Sequence, residues 1–222
     1  MRLVIAACVI AVAACTPKPP APTTAPPPTT TSTVSTPDLV KAMDAKVKSA
    51  LMPVEAFTFP AEKVVDQPQL DAALATTDGR LSEVCLGARV DVGVSTSRRR
   101  LWDVDIPFEQ HVFGLVGVTT KHVLDTVRAK ARSCQTYVGE NGAPLREVKA
   151  DVAIPEWEGI DDSYAFCQSL PEYDEEAWEC EGFITRGDLI VKVAVSAIGE
   201  EQATQFLPGL IRLAVPYLVK VG

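Results

Sequence analysis

The chemistry open to this chain lies mostly in its thiols and carboxylates. Cys85, Cys134, Cys167 and Cys180 form no C-x-x-C pair, and His111 and His122 stand outside any ligand-like spacing, so a zinc centre is not expected. No G-x-S-x-G elbow, no H-E-x-x-H and no phosphate-binding glycine loop is present. The chain is therefore read as a non-enzyme with no catalytic residue and no cofactor. Eleven acidic residues and no Lys or Arg fall between Asp151 and Thr185, concentrated at Glu156, Glu158, Asp161, Asp162 and from Glu172 to Glu176. Clustered oxygens of this kind can hold Ca²⁺, but the ordered spacing of an EF-hand loop is missing, and a solvated acidic loop is the cheaper reading. Trp157, Tyr164, Tyr173 and Trp178 are interleaved with these acids; aromatic faces can hold a cation or a sugar, and core packing explains them as well. Ser97-Arg98-Arg99-Arg100 is the basic cluster, and Arg186-Gly187-Asp188 matches an adhesion tripeptide while also placing Gly-Asp where a hairpin turns.

A fifth thiol has a different setting. Cys15 follows the small residues Ala13 and Ala14 at the end of an apolar stretch running from Leu3. That stretch is about half the ~20 residues that a membrane-spanning helix needs, and small residues ahead of the cysteine suit a signal-peptide cleavage site. Val12-Ala13-Ala14-Cys15 resembles a bacterial lipobox. The resemblance implies lipid attachment to the Cys15 thiol, removal of residues 1–14, and a place on the extracytoplasmic face of the cell membrane. Cys8 would leave with the signal.

Composition fits an exported, tethered protein. The formal charge of −8 becomes −9 once Arg2 departs, which disfavours nucleic acid as a partner, because phosphate binding needs clustered Lys and Arg. An anionic membrane surface is disfavoured on the same ground, leaving the lipid as the attachment. From Thr16 to Pro37, eight residues are Pro and eight are Thr, with one charge at Lys18. Such a segment cannot bury a core, and at ~3.1 Å per residue of polyproline II it reaches up to ~70 Å from the bilayer. The expected organisation is a signal peptide over 1–14, the lipidated Cys15 with its Pro/Thr-rich linker over 15–37, and an extracytoplasmic domain over 38–222, within the usual ~100–200 residues of a domain.

The elements that position these residues read as follows. Asp38 looks like an N-cap, with Leu39, Ala42, Met43, Val47, Ala50 and Leu51 at helical spacing and Pro53 ending the helix. A short helix is expected from Pro68 to Asp78. Val90, Val92 and Val94 alternate with polar or small residues, as do Trp102, Val104 and Ile106, and Ser95–Arg100 is expected to connect them as a hairpin. Val112–Val118 reads as a central strand. Thr120–Cys134 reads as a helix packed by one side through Val123, Leu124, Val127, Ala131 and Cys134. Further strands are expected near Val148–Ile154, Ser163–Ser169, Trp178–Ile184 and Leu189–Ala197, with Lys192 and Ser196 opposite the apolar face of the last. A final helix over about Glu200–Val219 contains Pro208 and Pro216 and should kink or restart near Pro208. The fold class is α+β, a mostly antiparallel sheet of about seven strands with helices on one face.

Four exported cysteines suggest two disulfides in three possible pairings. Cys167–Cys180 is favoured, because those residues lie on adjacent expected strands joined by the short Pro171–Ala177 loop. Cys85–Cys134 follows by remainder. Here the sequence resembles the PknH-type extracellular sensor domains of mycobacterial receptor kinases and related actinobacterial lipoproteins. The matching features are Cys85, a strand and helix ending in a cysteine over Val112–Cys134, and Cys180–Val219, closest in Cys180-Glu181-Gly182-Phe183-Ile184-Thr185-Arg186-Gly187-Asp188-Leu189-Ile190-Val191-Lys192-Val193. The resemblance covers roughly residues 80–220. It implies a sensor-like fold with two disulfides and a cleft for a small-molecule, polysaccharide or protein ligand, and it brings no catalytic residues. The alternative from another class is an envelope module that recognises a protein or cell-wall polymer by its surface.

Overall fold

Two meanders meet in the middle of one antiparallel sheet. The computed structural model describes residues 36–57, 63–68, 81–82, 84–86, 94–103, 105–139 and 144–221, all within the unit Val34–Gly222. The first meander is β1 (Lys63–Pro68), β2 (Val94–Asp103) and β3 (Phe108–Leu115); the second is β4 (Thr136–Val138), β5 (Leu145–Lys149), β6 (Asp162–Ser169), β7 (Ala177–Arg186) and β8 (Leu189–Ile198). Spatial order is β1-β2-β3-β8-β7-β6-β5-β4, so the last strand closes against β3 and short β4 extends the sheet through β5. The α-helices among the described residues are α1 (Thr36–Ala50), α2 (Thr120–Ser133) and α3 (Glu200–Val221). The α+β class with an antiparallel sheet is the one expected, with eight strands where about seven were expected.

Where the sequence placed the helices on one face, the structure divides them between two. Leu189, Val191, Val193 and Val195 of β8 pack with Met43 and Val47 of α1 and with Ala203, Leu207, Leu210, Ile211, Ala214 and Leu218 of α3. Ile190 points the other way, joining Phe113, Phe166 and Phe183 under Val123, Leu124, Val127 and Ala131 of α2. A central strand that is apolar on both faces must be covered on both.

Four further expectations are corrected. Ser95–Arg100 is not a hairpin connection but the body of β2, paired with β1 on one side and β3 on the other. Three successive arginines tolerate a strand because each finds a partner: Arg98 binds Asp44 of α1, Arg99 binds Glu109, and Arg100 donates to the Met52 carbonyl. Helix α1 begins at Thr36, which puts Asp38 in its first turn, where a carboxylate favours the positive end of the helix dipole and Pro37 forfeits no hydrogen bond. Helix α3 does not restart at Pro208; it continues through both prolines. Its fully buried apolar face offsets the backbone bonds that the prolines remove. The strand expected over Val148–Ile154 stops at Lys149, since Asp151 takes a left-handed backbone with φ 58° and ends the ladder. The helix expected from Pro68 to Asp78 falls outside the described residues apart from Pro68, which closes β1.

The closeness of α3 to the sheet rests on one missing side chain. A Cβ on Gly182 of β7 would run into Ile211 Cδ1 and lie 3.2 Å from Leu207 Cδ1. Gly182→Val should therefore lower stability by about 1–3 kcal/mol through overpacking. Urea titration of the variant measures this, and an unchanged midpoint would contradict the packing.

Candidate functional site

The C-terminal end of α1 and the N-terminal end of α2 are each held by a residue of the sheet or its turns, and polar regions lie beside these contacts. Buried Gln110 of β3 accepts from the Met52 amide at 2.7 Å and donates to the Ala50 carbonyl at 3.2 Å, satisfying the C-terminal end of α1. At α2, Thr119 is the N-cap and accepts from the His122 amide, while Thr120 donates to the Gly187 carbonyl in the β7–β8 turn. Beside that end opens a cleft of about 530 Å³ lined by Thr119, Thr120, Lys121, Arg128, Asp161, Asp162 and Thr185. Lys121 pairs with Asp125 at 2.7 Å, Arg128 with Asp162 at 3.0 Å and also with Asp125, and Asp161 accepts from the Gly187 amide at 2.7 Å. Its cations and carboxylates are matched. Such a lining favours a small, hydrogen-bonding ligand of little net charge over a strong anion or cation.

A second polar region is sealed inside the α2 side of the sheet. Lys192, the exception on apolar β8, places Nζ 3.2 Å from Glu109 Oε1 and 3.9 Å from Glu181 Oε1. Arg99 Nε reaches Glu109 Oε2 at 2.6 Å. Glu181 is 2 % exposed and its Oε2 has no partner among the described residues; the same holds for Nε2 of buried His111. Burial pushes the Glu181 carboxyl up, the attraction of Lys192 opposes this, Glu179 and Glu109 add repulsion, and the outcome is a pKa of about 8. Burial also opposes charge on Lys192, but Glu181, Glu109 and Glu179 outweigh it and hold the ammonium above the ordinary lysine value. For Glu109, burial is overcome by Lys192 and Arg99, and its pKa is lowered. His111 is kept neutral, well below the usual imidazole value, by burial and then by Lys192 and Arg99. The row continues outward: Gln168 donates to Glu179 at 2.9 Å and accepts from Tyr137, whose hydroxyl takes Arg146, itself paired with Glu172.

The residues singled out by sequence go to other places. Cys15, read as the lipidation site, lies outside the described residues. Two disulfides are present, Cys85–Cys134 and Cys167–Cys180, the latter a directly opposed cross-strand pair. The acids of 151–185 do not converge, and among the described residues no three His, Cys, Asp or Glu side chains form a group able to hold a metal ion. The aromatic faces already carry this chain's own cations, Arg128 over Tyr164 at 5.2 Å and Lys149 over Trp178 at 5.8 Å. Trp157 packs against the α1–α3 core, and Tyr173 is exposed. Of the tripeptide, Arg186 donates to the Gly159 carbonyl and Asp188 pairs with Lys46 at 2.8 Å, so both charges serve internal contacts. His122 is exposed on α2. The cluster of Lys192, Glu109, Glu181 and His111 was not anticipated as a unit; its one signal was a lysine in an otherwise apolar strand.

Fold and site together define a disulfide-stapled α+β domain with a polar cleft and a buried charge cluster. No protein-family model matches the chain, and no curated protein matches it. Among solved structures it is similar to the extracellular domain of PknH from Mycobacterium tuberculosis, at 14% identity and a TM-score of 0.36, over 82% of this chain and 90% of that one. A superposition this loose assigns no function, so the reading below stands on this chain's own residues.

Proposed function

We propose that the chain is a lipid-anchored envelope protein whose extracytoplasmic domain is a sensor-like, ligand-binding module, with the cleft at the N-terminal end of α2 as its site. The carrying observation is the pairing of a lipobox-like Val12–Cys15 with a domain closed by two disulfides, bonds that persist in oxidising compartments outside the cytosol. Cleft volume is in the range of small-molecule sites. Among the described residues no helix is long and apolar enough to cross a membrane, and on this reading the lipid supplies the attachment. Among the described residues, the large exposed apolar side chains lie on different elements, with Val138 and Leu145 paired across β4 and β5 and Leu39, Val54, Tyr173 and Phe206 elsewhere, which favours a cleft ligand over a broad protein interface.

Radiolabelled palmitate fed to an actinobacterial host should enter the wild-type chain and be absent from Cys15→Ala, with the variant released from the membrane fraction. Label persisting in the variant, or missing from the wild type, overturns the anchor. Native mass spectrometry of the same full chain should retain a small neutral or zwitterionic molecule that Lys121→Ala sheds. Wild-type chain that is always empty contradicts the cleft reading.

A further inference from the structure

We propose that Glu181, Glu109 and Lys192 form a proton-operated lock beneath the segment Leu81–Leu86, closed while the Glu181 carboxyl carries its proton and loosened when it ionises. The segment's described residues meet this cluster through Ser82. Leu81 and Ser82 are 1 % exposed and Val84 is 0 %; the Ser82 side chain hydrogen-bonds with Glu181 and also accepts from the Val84 amide. Around Glu181 stand Lys192 from β8, Glu109 and His111 from β3, Arg99 from β2 beyond Glu109, Tyr137 from β4, and Glu179 on β7 itself. Among the described residues, two cations thus face three carboxyl groups. Lys192 lies nearer Glu109 than Glu181, and Arg99 serves Glu109 as well, so Glu181 is the group left over for a proton. Its partnerless Oε2 is sealed from water. An ionised Glu181 needs solvent or a donor there, and on this proposal the segment that carries Ser82 gives way to admit it.

Linkage gives the sign. Because the folded-state pKa of Glu181, about 8, exceeds the ordinary 4.5, its contribution is complete below 4.5 and drains as pH rises to 8. His111 is depressed from 6.5, so its contribution is complete above 6.5 and drains as pH falls. The two oppose each other between pH 4.5 and 6.5, and Glu181 acts alone above that. The folding constant should be nearly flat between pH 4.5 and 6.5 and then fall by up to about tenfold per pH unit from 6.5 to 8.

Hydrogen exchange of the full chain, read by mass spectrometry and corrected for intrinsic rates, tests the lock. Between pH 6.5 and 8.5, protection of the peptide spanning Leu81–Leu86 should fall by about tenfold or more, ahead of β8, and the fall should vanish in Glu181→Gln. An equal fall in Glu181→Gln, or none in the wild type, overturns the proposal. Should that variant fail to fold, carbon-13 carboxyl titration of the glutamate-labelled wild type decides: a glutamate titrating near pH 8 supports the lock, and glutamates all titrating in the ordinary carboxylate range overturn it.

Discussion

Lys192→Met should destabilise the domain by about 3 kcal/mol at neutral pH, near the lower end of what breaking a buried ion pair costs. Methionine keeps the length of the stem and its packing on β8, so the loss isolates the ammonium. Glu109 then stays buried with Arg99 as its cation, which is why the upper end of the range is not reached. Coupling checks the assignment: Lys192→Met with Glu109→Gln should cost less than the two single changes summed, by about 1–2 kcal/mol. Lysine's raised pKa adds a direction. Its contribution is complete below the ordinary lysine value of 10.5 and is lost as pH climbs above it, so the variant should differ least from wild type in strong alkali. Urea titrations at several pH values read all of this, and a neutral-pH variant within about 1 kcal/mol of wild type would show that the ammonium is solvated.

The fold was legible where one period dominated. Leu189–Ile198 alternates cleanly, Thr120–Ser133 carries its buried residues at helical spacing, and the hairpin between Cys167 and Cys180 follows from two short strands separated by a Pro-led loop. Misreadings came where partners distant in sequence decided the outcome. Three consecutive arginines look like a loop, because an isolated strand gives them nothing to bind; Asp44, Glu109 and the Met52 carbonyl come from elements that the strand itself cannot announce. Pro208 breaks an isolated helix, yet α3 lies on a sheet whose apolar surface keeps it one continuous helix. Placement of α2 was missed for a related reason. Helical periodicity says that a helix has an apolar face, but only a sheet apolar on both sides says which side that face meets.

Site chemistry was less legible than fold. Acids between Asp151 and Thr185 drew attention by their number, but number does not specify convergence: Asp162 serves Arg128, Glu172 serves Arg146, and Asp174 caps the Glu176 amide. Glu181 belongs to the same run and differs only in facing inward, between Lys192 on one neighbouring strand and Ser82 above. Sequence alone offered one clue, since strand alternation at Leu189–Ala197 left Lys192 on the face opposite the apolar set. Covering that face with α2 and with Leu81, Ser82 and Val84 leaves Lys192 a buried cation, and the carboxylates around it follow from the register of β3 and β7.

Removing the Cys85–Cys134 disulfide, as Cys85→Ser with Cys134→Ser, should cost about 4 kcal/mol, because the closed loop of 49 residues constrains the unfolded chain strongly. Cys167–Cys180, closing 13 residues, is worth about 3 kcal/mol on the same reasoning. Access separates them further. Both sulfurs of the shorter loop belong to residues with no exposure, packed near Thr204, whereas Cys85 and Cys134 are only partly covered. Mild reductant acting on the folded chain should open Cys85–Cys134 first, and peptide mapping of alkylated cysteines reads that order; simultaneous reduction would mean that the sheet opens globally before either bond is reached. The local consequence is specific. Cys85 holds a left-handed backbone with φ 61° beside Val84, three residues from Ser82, and a non-glycine residue there is strained. Without its tether to the end of α2, that turn should relax, water should reach Glu181, and the carboxyl should titrate closer to the ordinary 4.5 than to about 8. The decline in stability between pH 6.5 and 8 should then flatten in the double serine variant. A decline as steep as in wild type would separate the disulfide from the charge cluster beneath it.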